Sequence, residues 1–219
     1  MEGVSYKKLI LKINNSYELY EKLKELNLIE DADVRWWPNS GTFEVVIGAI
    51  LTQNSQWNRV ELSLENLRKF NLLNLESLSE LDVIIEAIKP SGLYRQKAER
   101  LKLLSENIKE TFGNFETFCS EVSREWLLEQ KGIGKESADS ILCYACKRDA
   151  MVSDSYSAKL LNHLGWEFDS YDDVQSFLKS GIDDFYDGEK ELSIVYAEFH
   201  GMIVEFCKRY CKGKKVNFN

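Results

Sequence analysis

Apolar residues recur at helical spacing along much of this chain. Val60, Leu64 and Leu67 fall on one stripe. Ala138, Ile141, Leu142 and Ala145 stand at i, i+3, i+4 and i+7, one face of an α-helix. Ahead of that second stripe, Ser123 occupies an N-cap position, with Arg124 and Glu125 in the first turn and Trp126, Leu127 and Gln130 behind them. Between the two segments lies Gly132-Ile133-Gly134. The pattern predicts two helices joined by a tight turn over about residues 123–146. The glycines allow positive φ and close backbone approach. Ile133 is expected to point inward and pin the turn while the flanking N–H groups point out. A turn of this kind is either an ordinary αα-hairpin connection or a place where exposed N–H groups meet a phosphate; the turn alone leaves both open. Apolar/polar alternation of β-branched residues is scarce and only Pro38 and Pro90 interrupt the chain, so an all-α fold is expected.

At 219 residues the chain suffices for one large domain or two small ones. No apolar run approaches the ~18 residues of a membrane span, and the first residues lack the charged and apolar regions of a secretory signal. A cytoplasmic location (nucleoid-associated, if bacterial) and no membrane partner are expected. The net charge of −8 is unfavourable for binding nucleic acid. A local basic patch can outweigh it; the candidates are Lys131 and Lys135 at the turn, Arg95 and Lys97, and Lys208, Arg209, Lys212, Lys214 and Lys215 near the end. Of the five cysteines, Cys143 and Cys146 lie on the apolar second hairpin helix and read as buried thiols.

Three ordered segments carry a resemblance. Leu128, Gly132, Ile133, Gly134, Ala138 and, further on, Asp154 match the helix-hairpin-helix pattern of the DNA glycosylase superfamily that includes endonuclease III. Gly92-Leu93-Tyr94-Arg95-Gln96-Lys97-Ala98 is similar to its Gly-Leu-Tyr-x-x-Lys-Ala segment, and Ile50-Leu51-Thr52-Gln53-Asn54 to its Gln-bearing helix end. Trp36-Trp37-Pro38-Asn39 and Lys131-Gly-Ile-Gly-Lys-Glu-Ser-Ala-Asp139 narrow the resemblance to the 3-methyladenine DNA glycosylase III branch. It implies an all-α fold of two helical lobes with a DNA-binding cleft between them. Residues 40–150 would form a helical barrel bearing the hairpin, and residues 1–39 with 151–219 the second lobe. The partner implied is double-stranded DNA with a damaged base, and a monomer is usual for the family.

Chemistry on a base requires the nucleotide to be flipped out of the duplex, at a cost of about a few kcal/mol. Positive charge then grows on the sugar as the N-glycosidic bond breaks, and a carboxylate can stabilise it or position a water. The pattern allows Asp154 to be an N-cap ahead of Leu160 and Leu161; the resemblance assigns it catalysis. Trp36, Trp37 and Trp57 are assigned to the base pocket, where electron-rich rings attract a cationic base by roughly 1–2 kcal/mol, and Phe43 to the core. Gln53 and Leu93 are expected to fill the gap left by the base. Lys131, Gly132, Gly134, Lys135 and Glu136 are expected to hold phosphate. Relatives with lyase activity carry a lysine two residues after the second hairpin glycine; here that residue is Glu136, which cannot form a Schiff base, and Lys135 points about 100° away. The expectation is a monofunctional glycosylase excising 3-methyladenine. Adenine-removing relatives use a glutamate where this chain has Gly48, with Glu44 a weak substitute. The alternatives are a glycosylase for oxidised bases or a non-catalytic binding module. No cofactor or metal is expected: Cys207 and Cys211 are two thiols where an iron–sulfur cluster needs four, and His163 and His200 leave a zinc site short of ligands.

Overall fold

The computed structural model describes residues 13–78 and 81–211. In chain order the helices are α1 (Ser16–Lys24), α2 (Phe43–Leu51), α3 (Trp57–Lys69), α4 (Leu81–Ile88), α5 (Tyr94–Phe112), α6 (Phe115–Glu121), α7 (Arg124–Glu129), α8 (Lys135–Ser140), α9 (Ser155–His163), α10 (Tyr171–Phe185) and α11 (Leu192–Tyr210). A 3₁₀ turn, Lys89–Ser91, leads towards α5, and a π turn, Ile141–Ala145, follows α8. The described residues form no strand, and the fold is all-α. None of their helices is long and apolar enough to cross a membrane. The chain divides into two compact units, one of Met1–Pro38 with Asp149–Asn219 and the other Asn39–Arg148.

The Asn39–Arg148 unit is organised around α2, which is apolar on nearly every side and buried from Val45 to Leu51. Against it pack Val60, Leu64 and Leu67 of α3 and Ala98, Leu101, Leu104 and Ile108 of α5, while Ile84 and Ile88 of α4 lie on the helix that packs against α3 and α5, all buried. Phe43 is buried and meets Phe115 edge-on, as a core residue.

Lys97 departs from the sequence reading. It belongs to no basic patch: it is 1 % exposed, and its Nζ donates to the carbonyls of Leu51 and Ser91, both at 2.8 Å. It thus closes the C-terminal end of α2 from inside. Burial, with the charge of Arg100 beside it, pushes its pKa down to about 8.

In the other unit α1, α9, α10 and α11 share one core, with Leu19, Tyr20 and Leu23 meeting Leu160, Leu161, Leu178, Ile182, Val195, Phe199, Ile203 and Phe206. Side-chain caps fix where its helices start: Asn15 accepts from Glu18 N and Ser170 from Asp173 N. Gly181 lets α1 approach α10 closely; a Cβ there would strike the backbone of Ser16 and Tyr17.

Candidate active site

In the Asn39–Arg148 unit, the hairpin of α7 and α8 is built from four kinds of contact. Ser123 Oγ accepts from Trp126 N at 3.0 Å and caps α7. Trp126 packs edge-on to Phe112 and Phe118, which anchors α7. Ile133 is buried at the tip, while Lys131, Gly132, Gly134, Lys135 and Glu136 are exposed. Across the hairpin, Arg124 Nε and Nη2 donate to the two oxygens of buried Asp139 at 2.7 and 2.9 Å. A bidentate pair of this kind fixes both distance and angle between the two helices. Beyond Ser140 the helical hydrogen bonding widens, and Cys146 N reaches Ile141 O at 2.9 Å. The apolar stripe through Ala138, Ile141, Leu142 and Ala145 stays buried through that π turn.

Gln53, expected to fill the gap left by the base, is tied to the hairpin turn in this structure. Its Nε2 donates to Gly132 O at 2.9 Å and to Ser137 Oγ at 3.0 Å, and its Oε1 accepts from Arg100 Nη1 at 2.7 Å. The amide therefore buttresses the hairpin turn. Gly132 has φ +83°, and a Cβ there would collide with the Arg100 guanidinium. Gly132→Ala is accordingly expected to weaken binding to duplex DNA at least tenfold, with about 1–3 kcal/mol of local strain, as checked by fluorescence anisotropy; unchanged affinity would contradict the role given to this turn. Leu93, with φ +48°, precedes α5 and is more than half exposed, an uncommon position for a leucine.

Asp154 lies in the other unit, immediately before α9, and its two oxygens are used differently. Oδ1 accepts from Tyr156 N and Ser157 N, both at 3.0 Å, and from Ser157 Oγ at 3.3 Å. That is a complete N-cap. Oδ2 lies 3.5 Å from His200 Nε2 on α11. The carboxyl is mostly enclosed, with 13 % of the side chain exposed. Burial pushes its pKa up, but the charge and hydrogen bond of His200 and the bonds from Ser157 outweigh it. The net effect holds Asp154 below the usual carboxylate range.

Trp36 borders the same group. Its ring stands edge-on to the His200 imidazole at 5.4 Å and is half-buried. Its φ is +64°, a strained value for a bulky residue. Neighbours impose it: Trp36 N donates to Asp33 O at 2.6 Å, and buried Arg35 reaches Ser193 Oγ at 2.9 Å and Glu191 at 3.5 Å. Gly201 makes room for the ring, since a Cβ there would collide with it. Lys208 Nζ lies 5.5 Å from the ring centroid and also pairs with Glu205. Trp37 is buried and meets Trp36 edge-on, so it backs that ring and turns no free face outward. Trp57 is half-buried at the start of α3.

Several sequence assignments find other partners. Arg209 donates to Leu28 O, and Lys212, Lys214 and Lys215 lie outside the described residues. Glu44 accepts from Arg68 and Asn39. Cys143 is buried, Cys119 Sγ donates to Ala145 O at 3.6 Å and Cys207 Sγ to Tyr156 O at 3.5 Å. His200 went unread except as an incomplete metal ligand. The available signal was a lone histidine inside the apolar run Val195–Cys207 and beside a helical glycine.

Comparison with known proteins supplies the class. The family of HhH-GPD superfamily base excision DNA repair proteins matches residues 47–183. A Methanocaldococcus jannaschii protein assigned to the DNA repair glycosylases is 36 % identical over 211 residues, covering 92 % of this chain and 93 % of that one. Endonuclease III of Thermotoga maritima is 27 % identical over 172 residues, 78 % of this chain and 75 % of that one. Among solved structures, 3-methyladenine DNA glycosylase (MagIII) of H. pylori, bound to 1,N6-ethenoadenine, superposes with a TM-score of 0.86 at 45 % identity, covering 90 % of this chain and 98 % of that one. The chain belongs to the HhH-GPD superfamily of base excision DNA repair proteins. Within it, the protein is a DNA glycosylase.

Proposed function

We propose that this enzyme excises alkylated purines, 3-methyladenine foremost, from double-stranded DNA as a monofunctional glycosylase. The observation that carries the reading is the divided use of Asp154, with Oδ1 committed to the cap of α9 and Oδ2 left beside His200, whose far neighbour is the Trp36 ring. A carboxylate held ionised by its surroundings suits a reaction in which the sugar becomes cationic. It suits less well a reaction that must first protonate a neutral base. 3-Methyladenine carries positive charge and a weakened glycosidic bond, so it needs no such proton. Likeness to the H. pylori enzyme supports the same choice.

Trp36, whose ring stands edge-on to the His200 imidazole, is assigned to the base. Exposed Lys131, Gly132, Gly134, Lys135 and Glu136 are assigned to phosphate, a contact that positions the enzyme without reading sequence. Exposed Leu93 is assigned to the gap left by the flipped nucleotide. Glu136 in place of the lyase lysine supports simple hydrolysis: water adds at the anomeric carbon, the base leaves, and an abasic site remains.

The test is chromatography of bases released from dimethyl-sulfate-treated duplex, run beside borohydride trapping. Release of 3-methyladenine, with intact strands and no trapped protein–DNA adduct, is expected. Release of oxidised pyrimidines instead, or strand cleavage with a trapped adduct, would overturn the proposal.

A further inference from the structure

We propose that His200 is a positioning residue for base excision: with the proton on Nε2, it holds Oδ2 of Asp154 in the orientation that faces the reacting sugar. The inference deepens the proposed function and rests on Asp154 being the catalytic carboxylate. It starts from an asymmetry. Three donors fix Oδ1 from the backbone and side chain of α9's first turn, whereas for Oδ2 the nearby donor is His200 Nε2 at 3.5 Å. The imidazole is itself well placed to act as a fixed post. It is 3 % exposed, it sits on the long helix α11, and the Trp36 ring closes it off edge-on. Trp36 is in turn clamped by the Gly201 gap and the Arg35–Ser193 tether. The chain of support therefore runs from the α11 backbone through His200 to the oxygen left free of capping.

Bulk alone does not account for this choice of side chain. The residues one helical turn from His200 on α11 are Tyr196, Ala197, Ile203 and Val204, all buried, and an apolar residue would fill the position without bringing ring nitrogens into it. A buried polar ring is costly unless its N–H meets an acceptor. Asp154 Oδ2 stands 3.5 Å away, longer than an ordinary N–H···O bond, and a small rotation of the carboxylate brings it within bonding distance. Small errors in the placing of a reacting group can cost about 10²-fold in rate.

The experiment compares His200→Phe, which keeps a ring against Trp36 but no donor, with His200→Gln, whose amide places an N–H near the position of Nε2. Single-turnover release of 3-methyladenine is measured beside affinity for a duplex bearing an abasic analogue. His200→Phe is expected to slow release about 10- to 100-fold with affinity within about twofold of wild type, and His200→Gln to recover most of the rate. In an Asp154→Asn background, His200→Phe should cost nothing further, because its effect passes through that carboxylate. An unchanged rate for His200→Phe, equal losses in the Phe and Gln variants, or a full further loss in the Asp154→Asn background would each overturn the inference. If His200→Phe does not fold, His200→Gln against His200→Asn decides: Asn falls one methylene short, so equal rates would refute the role. A wild type that releases a different base would defeat the proposed substrate alone, and the same variants are then compared on the base it does release.

Discussion

Asp154→Asn should slow base release by about 10²- to 10³-fold, the loss typical of deleting one group that stabilises a transition-state charge. The same change should keep the cap of α9 and cost less stability than removing the side chain. Asn caps helices as well as Asp does, and its carbonyl can accept the bonds that Oδ1 now takes from Tyr156 N and Ser157 N. Asp154→Ala, by contrast, should lose both activity and about 1 kcal/mol of stability. The split between these variants separates chemistry from capping. It also sets the pH behaviour. The folded-state pKa of Asp154 is depressed despite burial, owing to His200 and Ser157. The reactive carboxylate should therefore persist as pH falls, and single-turnover rates should stay level from neutrality to about pH 5, where free carboxyls begin to titrate. Its stabilising contribution follows the same sign: present above the unfolded-state pKa and lost as pH falls through the folded one. A rate that declines steadily across that window would mean that Asp154 is not held ionised.

Arg124→Met should be the most damaging change in the hairpin for stability. It takes from Asp139, 1 % exposed, a bidentate partner at 2.7 and 2.9 Å. Removing one member of a fully buried pair typically costs about 3–5 kcal/mol; with Arg124 29 % exposed the loss should fall towards the lower end, still plain in urea denaturation. Replacing both partners, as Arg124→Met with Asp139→Leu, should recover much of the lost stability, because no charge is then left buried without its partner. If the single variant costs under 1 kcal/mol, the pair is ornamental and the hairpin is held by its other contacts, those of Trp126, Ile133, Ser123 and Gln53.

The ease of reading this chain differed between its parts for physical reasons. The hairpin was legible because capping, helical period and positive φ at glycine are local: Ser123, Ile133, Gly132 and the stripe from Ala138 to Ala145 all stand as their spacing implies. The π turn was not, since a shift in hydrogen-bond register leaves the apolar stripe unchanged. Long-range polar partners were also out of reach. Nothing near Gln53 in sequence points to Gly132 and Ser137, and the surroundings of Lys97 give no hint that its charge is spent on Leu51 and Ser91. Asp154 was legible as an N-cap, and only the fold shows that the cap occupies Oδ1 and leaves Oδ2 towards His200. Adjacent Trp36 and Trp37 had to point differently, but which ring stays accessible depends on Gly201, His200 and Arg35.

The most direct measurement is a crystal structure of the enzyme with duplex DNA carrying a cationic abasic-site analogue. The account predicts the analogue's positive centre about 3–4 Å from Asp154 Oδ2, with Oδ1 still bonded to the α9 backbone and the Trp36 ring beside the vacated base position. A sugar bound with Asp154 turned away from it, or approached by Oδ1 with the cap broken, would contradict the account.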